Sequence, residues 1–339
     1  MIGISFYLND PLAEQRIVEA CTKGVRRAFT SLHIPEEKGD LVSRAKKLLK
    51  VARDHGMEVF ADVSMNTPKH LGIQSLHDLS TLGVIGVRLD DYFDFDMIIE
   101  LSKQFHIALN ASIILEEDIK ALVANGIECE RLIAWHNFYP RRETGLDDAF
   151  FLQQMTLFQR FNIPVYSFVP GRGEKRGPIF DGLPTLERHR DIDPFVSAVE
   201  LYSHGIFDVY IGDPDAGEDL LEELVKYDED KIVPVRFHSS VFQEGIYRPR
   251  PDFARDVIRL MDTRKEEPVP QYNTVERPRG SITMDNSGYG RYCGEVHITL
   301  RDLPADDRVN VIGHVHSEDI PLLSLLKPGQ FMELKHIRT

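Results

Sequence analysis

From residue 2 to residue 226, short apolar runs alternate with longer segments in which apolar side chains recur every three or four positions. The first pattern is that of a buried parallel strand, and the second that of a helix with one apolar face. Eight runs are present, at residues 3–8, 27–33, 58–64, 83–89, 107–112, 131–136, 164–168 and 207–211. After Asp40, LVSRAKKLLKVARDHG shows the helical pattern, with Leu41, Ala45, Leu48, Leu49 and Ala52 on one face and Gly56 as its stop. Gly24, Gly83, Gly126, Asn162 and Gly205 stop other helices just ahead of the next strand. Eight such units predict an α/β fold, a closed (β/α)8 TIM barrel. An open doubly wound sheet would carry a glycine-rich phosphate turn after its first strand. Leu8-Asn9-Asp10-Pro11 stands there instead, and neither GxGxxG nor GxxxxGKS/T occurs.

After Lys226 the texture changes to a charged break, YDEDK, followed by shorter pieces interrupted by proline and glycine. Two domains are expected, residues 1–235 and 236–339. In the second, RGSITMDNSGYGRYCGEVHITL and RVNVIGHVHSEDIPLLSLLKPGQFMELKHI alternate apolar and polar residues, with turns at Asp285-Asn286 and Pro328-Gly329, which predicts a small β-barrel. Residues 250–264, RPDFARDVIRLMDTR, read as one helix near its start.

A formal net charge of −14 disfavours nucleic acid as a partner, although a few arginines in a cleft can still hold a small anion. Cys21, Cys129 and Cys293 form no CxxC pair, so disulfides are not expected and a reducing compartment is. The start, MIGISFYLND, lacks a basic segment followed by an apolar stretch, and no apolar run approaches the ~20 residues of a membrane span. A cytoplasmic protein without membrane contact is the expectation.

Catalytic groups of a (β/α)8 barrel stand at the strand C-termini, and this filters the many acids of the chain. The first strand ends in Tyr7, Asn9 and Asp10, the second in His33 with Glu36 and Glu37 beyond, and the third in Asp62 and Ser64. The fourth ends in Arg88, Asp90 and Asp91, and the fifth in Asn110 and Ser112. The sixth runs into WHNFYPRRETGL, with His136, Asn137, Tyr139, Arg142, Glu143 and Thr144. The seventh opens VPGRGEKRGPIFDGLPTLERHR, and the eighth ends at Gly212-Asp213.

Not all of these need be functional. Asp10 and Asp94 read better as helix caps. His33 reads as an ordinary hydrogen-bonded histidine, and Arg88 with Asp90 reads equally as an ion pair holding the mouth. No HxH or HExxH occurs in the barrel part, and the HVH at 314–316 reads as a solvated sheet face, so no metal is expected.

The seventh loop interleaves Arg172, Lys175 and Arg176 with Gly171, Gly173 and Gly177, so cations sit on backbone that can approach an anion closely. Phosphate binding is the functional reading, and a solvated mobile lid the plainer one. Glycoside cleavage uses two carboxyl groups, one to protonate the leaving oxygen and one as nucleophile or water activator. Asp90 and Glu143 are the chosen pair, with Asp213 as substitute. Tyr7, Asp62, Arg88, Asn110, His136, Asn137, Arg172, Arg176 and Glu187 are the expected substrate contacts.

WHNFYPRRETGL, PGRGEKRGPIFDGLPTLERHR and YIGDPDA, together with the MIGISFYL start and the RLDDYF segment in order, resemble the bacterial 6-phospho-N-acetylmuramidases. The resemblance covers nearly the whole chain. It implies a TIM barrel followed by a cyclophilin-like β-barrel, no cofactor, and cleavage of MurNAc 6-phosphate–GlcNAc in peptidoglycan recycling. Other chemistries suit the scaffold: a sugar-phosphate aldolase, epimerase or isomerase, or a carbohydrate-binding protein without catalysis. The eight runs contain no lysine for a Schiff base, which lowers one of these. The second domain has two roles open to it, closing over the barrel or forming a homodimer contact.

Overall fold

A computed structural model describes residues 1–32, 41–89 and 94–337 of the chain. The first unit, Met1–Val225, is built on eight parallel strands that close in sequential order. They are β1 (Ile2–Phe6), β2 (Arg27–Ser31), β3 (Glu58–Val63), β4 (Val84–Leu89), β5 (His106–Asn110), β6 (Leu132–Trp135), β7 (Val165–Val169) and β8 (Asp208–Ile211). Each coincides with one of the eight apolar runs. Between and after them run α1 (Ala13–Thr22), α2 (Leu41–Asp54), α3 (Thr67–Leu71), α4 (Phe95–Ser102), α5 (Glu116–Ala124), α6 (Asp148–Arg160), α7 (Pro194–Ser203) and α8 (Leu220–Asp230).

Local chemistry explains these elements. In α2, Ala45, Leu48, Leu49 and Ala52 are buried at the spacing that places them on one stripe. Asp94 caps α4 by accepting the Met97 N–H at 2.8 Å, and Asp10 accepts the Leu12 N–H at 2.9 Å. All six helix stops, Gly24, Gly56, Gly83, Gly126, Asn162 and Gly205, have the positive φ that turns the chain from helix toward strand.

Strand side chains alternate, so one parity of each strand fills the barrel. Phe29, Phe60, Ile133, Trp135, Tyr166, Phe168 and Tyr210 pack there as one buried cluster. Trp135 lies 4.4 Å from Tyr210 and 5.3 Å from Phe29, ring to ring. Rings this large need a facing position with no side chain. A Cβ on Gly3 would lie 2.2 Å from Tyr210, and one on Gly86 would lie 2.4 Å from Phe60. Gly86→Ala therefore forces the Phe60 ring out of a close-packed interior.

Below the rings, at the N-terminal end, Arg27 meets the fully buried carboxylate of Asp208, the Tyr166 hydroxyl at 3.0 Å and Glu58 at 3.3 Å. The main-chain nitrogen of Met1 also reaches Asp208, at 2.8 Å.

The second unit, Lys226–Thr339, begins within α8, some ten residues before the boundary expected from sequence. Its seven strands are β9 (Val233–Ser239), β10 (Gly245–Tyr247), β11 (Val257–Arg259), β12 (Ser281–Asp285), β13 (Val296–Thr299), β14 (Val309–Val315) and β15 (Met332–His336). They form one curled sheet, a half-barrel, in the order β10-β15-β9-β14-β12-β13-β11, antiparallel except where β15 runs parallel to β9. The helix expected over residues 250–264 is not formed. β11 takes its place, with Ile258 buried opposite Ile298 of β13. Sheet pairing of a β-branched pair, with Asp252 held by Arg250 and Arg259, overrides the helical spacing.

Candidate active site

The strand register fixes which residues face the barrel axis. Asp62 lies beside Arg88, Arg88 beside Ala108, and Asn110 beside Trp135, so Asp62, Arg88 and Asn110 share the inward parity of the aromatic cluster. They form the layer above the rings, at the C-terminal ends of β3, β4 and β5. Arg88 and Asp62 are buried and joined by a two-pronged ion pair, one prong of which is Nη2 to Oδ2 at 2.8 Å. The remaining Nη1 of Arg88 donates to Asn137 Oδ1 at 2.9 Å, and its guanidinium lies 5.5 Å from the Phe29 ring centre. A buried ion pair this well satisfied fixes two side chains in one geometry, whatever its net stability. Asn110 is half-buried, with Oδ1 accepting the Ser112 N–H at 3.1 Å.

Across the mouth, Tyr7 is buried at the end of β1 and donates its hydroxyl to the Gly212 carbonyl at 2.6 Å. Burial pushes this phenol up to about 12, so it stays a neutral donor. The Arg176 guanidinium lies over the Tyr7 ring, 4.0 Å from its centre, and 5.6 Å from the Phe138 ring. Among the described residues its side chain has no hydrogen bond and no ion pair. Phe138 also packs on Phe29 and Phe168, so contacts run unbroken from the Asp62–Arg88 pair to Arg176.

The other cations of the seventh loop are engaged. Arg172, expected as a phosphate contact, makes a fork to Asp193 at 2.9 and 3.0 Å and reaches Glu223 at 2.7 Å, which ties the loop to α7 and α8. Lys175 donates to the Gly171 carbonyl and lies 3.8 Å from Asp213.

Asp213, the reserve catalytic carboxylate, is 1% exposed and accepts the main-chain N–H groups of Gly171 and Arg176, each at 3.0 Å. Burial raises its affinity for a proton, and those N–H groups and Lys175 oppose the rise. Both of its oxygens thus hold main-chain N–H groups of the seventh loop, one of them that of Arg176.

Glu187 and His136, both expected as substrate contacts, are held by neighbouring groups. Glu187 accepts the N–H groups of Glu143 at 2.9 Å and Gly145 at 2.7 Å, together with a fork from Arg190 at 2.8 and 2.7 Å. The Arg190 bonds, then those N–H groups, pull its carboxyl down to about 2. Arg190, its side chain fully buried, donates onward to the carbonyls of Gly182 and Tyr139, at 3.0 and 2.9 Å. His136 has the outward parity, being one residue beyond the inward Trp135, and its ring packs on Phe151 of α6 at 5.1 Å. Burial drives its pKa down to about 3, so it is a neutral spacer bonded to the Ser112 hydroxyl at 3.2 Å.

Glu143 sits on the exposed loop after β6, at φ +70°, its N–H held by Glu187. Among the described residues its carboxylate has no partner. Main-chain bonds join this loop to the seventh: Tyr139 to Pro184 at 3.0 Å, Leu146 to Thr185 at 2.9 Å and Glu187 to Leu146 at 3.1 Å. Asp90, with Asp91, His33, Glu36 and Glu37, lies outside the described residues. Tyr139, half-buried and near Arg88, enters the site as well; burial, the largest influence, raises its pKa. Phe138 is the residue that sequence reading passes over, and its one signal is an aromatic placed directly after the Asn137 position.

No group of three or more His, Cys, Asp or Glu residues among the described residues is arranged to hold a metal ion. No helix there is long and apolar enough to cross a membrane.

A family model described as 6-phospho-N-acetylmuramidase, N-terminal, matches residues 2–226, and its C-terminal counterpart matches residues 229–335. A solved conserved protein of unknown function from Enterococcus faecalis is 36% identical, over 99% of this chain and 96% of that one, with a TM-score of 0.88. An uncharacterized B. cereus protein is 28% identical over 99% of each chain, with a TM-score of 0.82. No curated protein matches the chain.

Proposed function

The chain belongs to the 6-phospho-N-acetylmuramidase family, and on that premise we propose that it is a glycosidase that cleaves MurNAc 6-phosphate–GlcNAc in cytoplasmic peptidoglycan recycling. Arg176 is the observation that carries this reading. Among the described residues it is a half-buried arginine without an acid partner or a side-chain hydrogen bond, its guanidinium over the Tyr7 ring and its N–H groups available to a ligand. Such an edge matches phosphate geometry, and phosphate sites of this barrel class often lie after strands seven and eight. Arg88, Asn110, Asn137 and Tyr139 supply neutral or charge-balanced groups for sugar hydroxyls on the same mouth.

Asp90 and Glu143 are the proposed acid–base pair: one protonates the glycosidic oxygen as the bond breaks, and the other attacks the anomeric carbon or takes a proton from the attacking water. The partnerless Glu143 carboxylate is available for either task, whereas those of Asp213 and Glu187 are saturated by donors. None of the eight strands carries a lysine, which leaves a Schiff-base aldolase without its nucleophile.

Purified protein given the 6-phosphorylated disaccharide should release GlcNAc, and the unphosphorylated disaccharide should be cleaved far more slowly. Equal rates on both would remove the phosphate role of Arg176, and no release from either would remove the glycosidase reading.

A further inference from the structure

We propose that Phe180 is a substrate-contact residue, its ring the apolar wall against which the pyranose of a phosphorylated amino sugar packs beside Arg176. The proposal rests on the reading of Arg176 as the phosphate ligand.

Phe180 is 59% exposed, although it is a large aromatic in a well-formed turn. Its φ is +61°, a left-handed conformation that crowds any Cβ and is unusual for a bulky side chain. The other non-glycine residues with positive φ among the described residues are Asn, Asp, Glu or Lys, so Phe180 is the apolar exception. Neither solvent nor the local backbone rewards a phenyl ring at such a position. Strain of this kind persists where surrounding structure over-determines it, and it clusters at ligand clamps.

The surrounding structure here is specific. The Phe180 N–H donates to the Arg176 carbonyl at 3.1 Å, which closes a turn with the cation at one end and the ring at the other. Asp213 fixes the start of that turn through the Arg176 N–H. The ring rests against Gly177, where a Cβ would come within 2.8 Å of it. Residue 177 must therefore lack a side chain for the ring to stay in place. An anion-binding edge and an apolar wall on one pre-formed turn suit a ligand with a phosphate next to a carbon-rich ring face, and not phosphate alone.

Binding measured by calorimetry with two probes, N-acetylglucosamine 6-phosphate and inorganic phosphate, tests this. Phe180→Ala should weaken the sugar phosphate about tenfold, a loss of the size expected for one apolar contact, and leave inorganic phosphate within twofold. Phe180→Gly should give the same selective loss while its Tm rises by about 2 °C, because glycine relieves the backbone that the ring strains. A purely structural Phe180 would instead lower Tm or weaken both probes together, and either result overturns the proposal. Unchanged sugar phosphate binding in Phe180→Ala overturns it as well, as does wild-type protein that binds no sugar phosphate. Wild-type protein that binds sugar phosphate, with the selective loss in both variants, but cleaves no disaccharide, would refute the glycosidase reading while upholding the contact.

Discussion

The two ends of the barrel hold the same pair of residue types and use them differently. At the N-terminal end, Arg27 meets Asp208, Glu58 and the Tyr166 hydroxyl, and Met1 covers the carboxylate. Every charge there has its answer. At the mouth, Arg88 and Asp62 also form a buried pair, but a second guanidinium, Arg176, stands beyond them with no acid of its own among the described residues. Burial alone therefore does not distinguish the functional end from the structural one. Incomplete local neutralisation does, because a cation held half out of water without a counter-charge is poised for a ligand that brings one.

Substitutions of the proposed acid–base pair should separate the ends most sharply. Glu143→Gln and Asp90→Asn should each lower kcat by roughly 10²–10⁴-fold with Tm unchanged, and near-normal turnover in both would end their assignment. Next in size, Asp62→Asn and Asp208→Asn each break a buried pair and should cost about 3–5 kcal/mol of stability in denaturant titrations. Only Asp62→Asn should also change kcat/KM of the folded protein. An equal change from Asp208→Asn would erase the contrast between the ends.

Arg176→Ala should shift stability by less than about 0.5 kcal/mol yet raise KM for the phosphorylated disaccharide by roughly 10–100-fold, the worth of charge-assisted bonds to phosphate. Arg172→Ala should do the reverse, lowering Tm and leaving KM near wild type. The smallest effect concerns acid. Glu187 titrates near 2 in the folded chain, below its ordinary value of 4.5, so its stabilisation is complete above 4.5 and is lost as pH falls through about 2. Hydrogen exchange at residues 141–146 should quicken across that window. Exchange that stays flat there would show that Arg190 and Glu187 do not hold the loop.

The eight strands were legible in the sequence because each needed only a local apolar run, six of them preceded by a stop of positive φ. The site was less so. Arg172, Lys175 and Arg176 read alike as interleaved cations, and what divides them is Asp193 and Glu223 on Arg172 and Asp213 beside Lys175, acids distant in sequence from the cations they meet. His136 and Asn137 are neighbours in one motif, and a single step of strand alternation puts the first against Phe151 and the second on Arg88. In the second unit, the helical spacing of residues 250–264 gave way to sheet pairing, which local periodicity does not contain.

The main-chain seam between the sixth and seventh loops, with Leu146 bridged to Leu186, makes them a single plate. Any hinge that swings Arg176 toward an incoming anion must carry Glu143 through the same arc. On the proposed roles, capture of phosphate by Arg176 and alignment of the Glu143 carboxylate would then be one mechanical event.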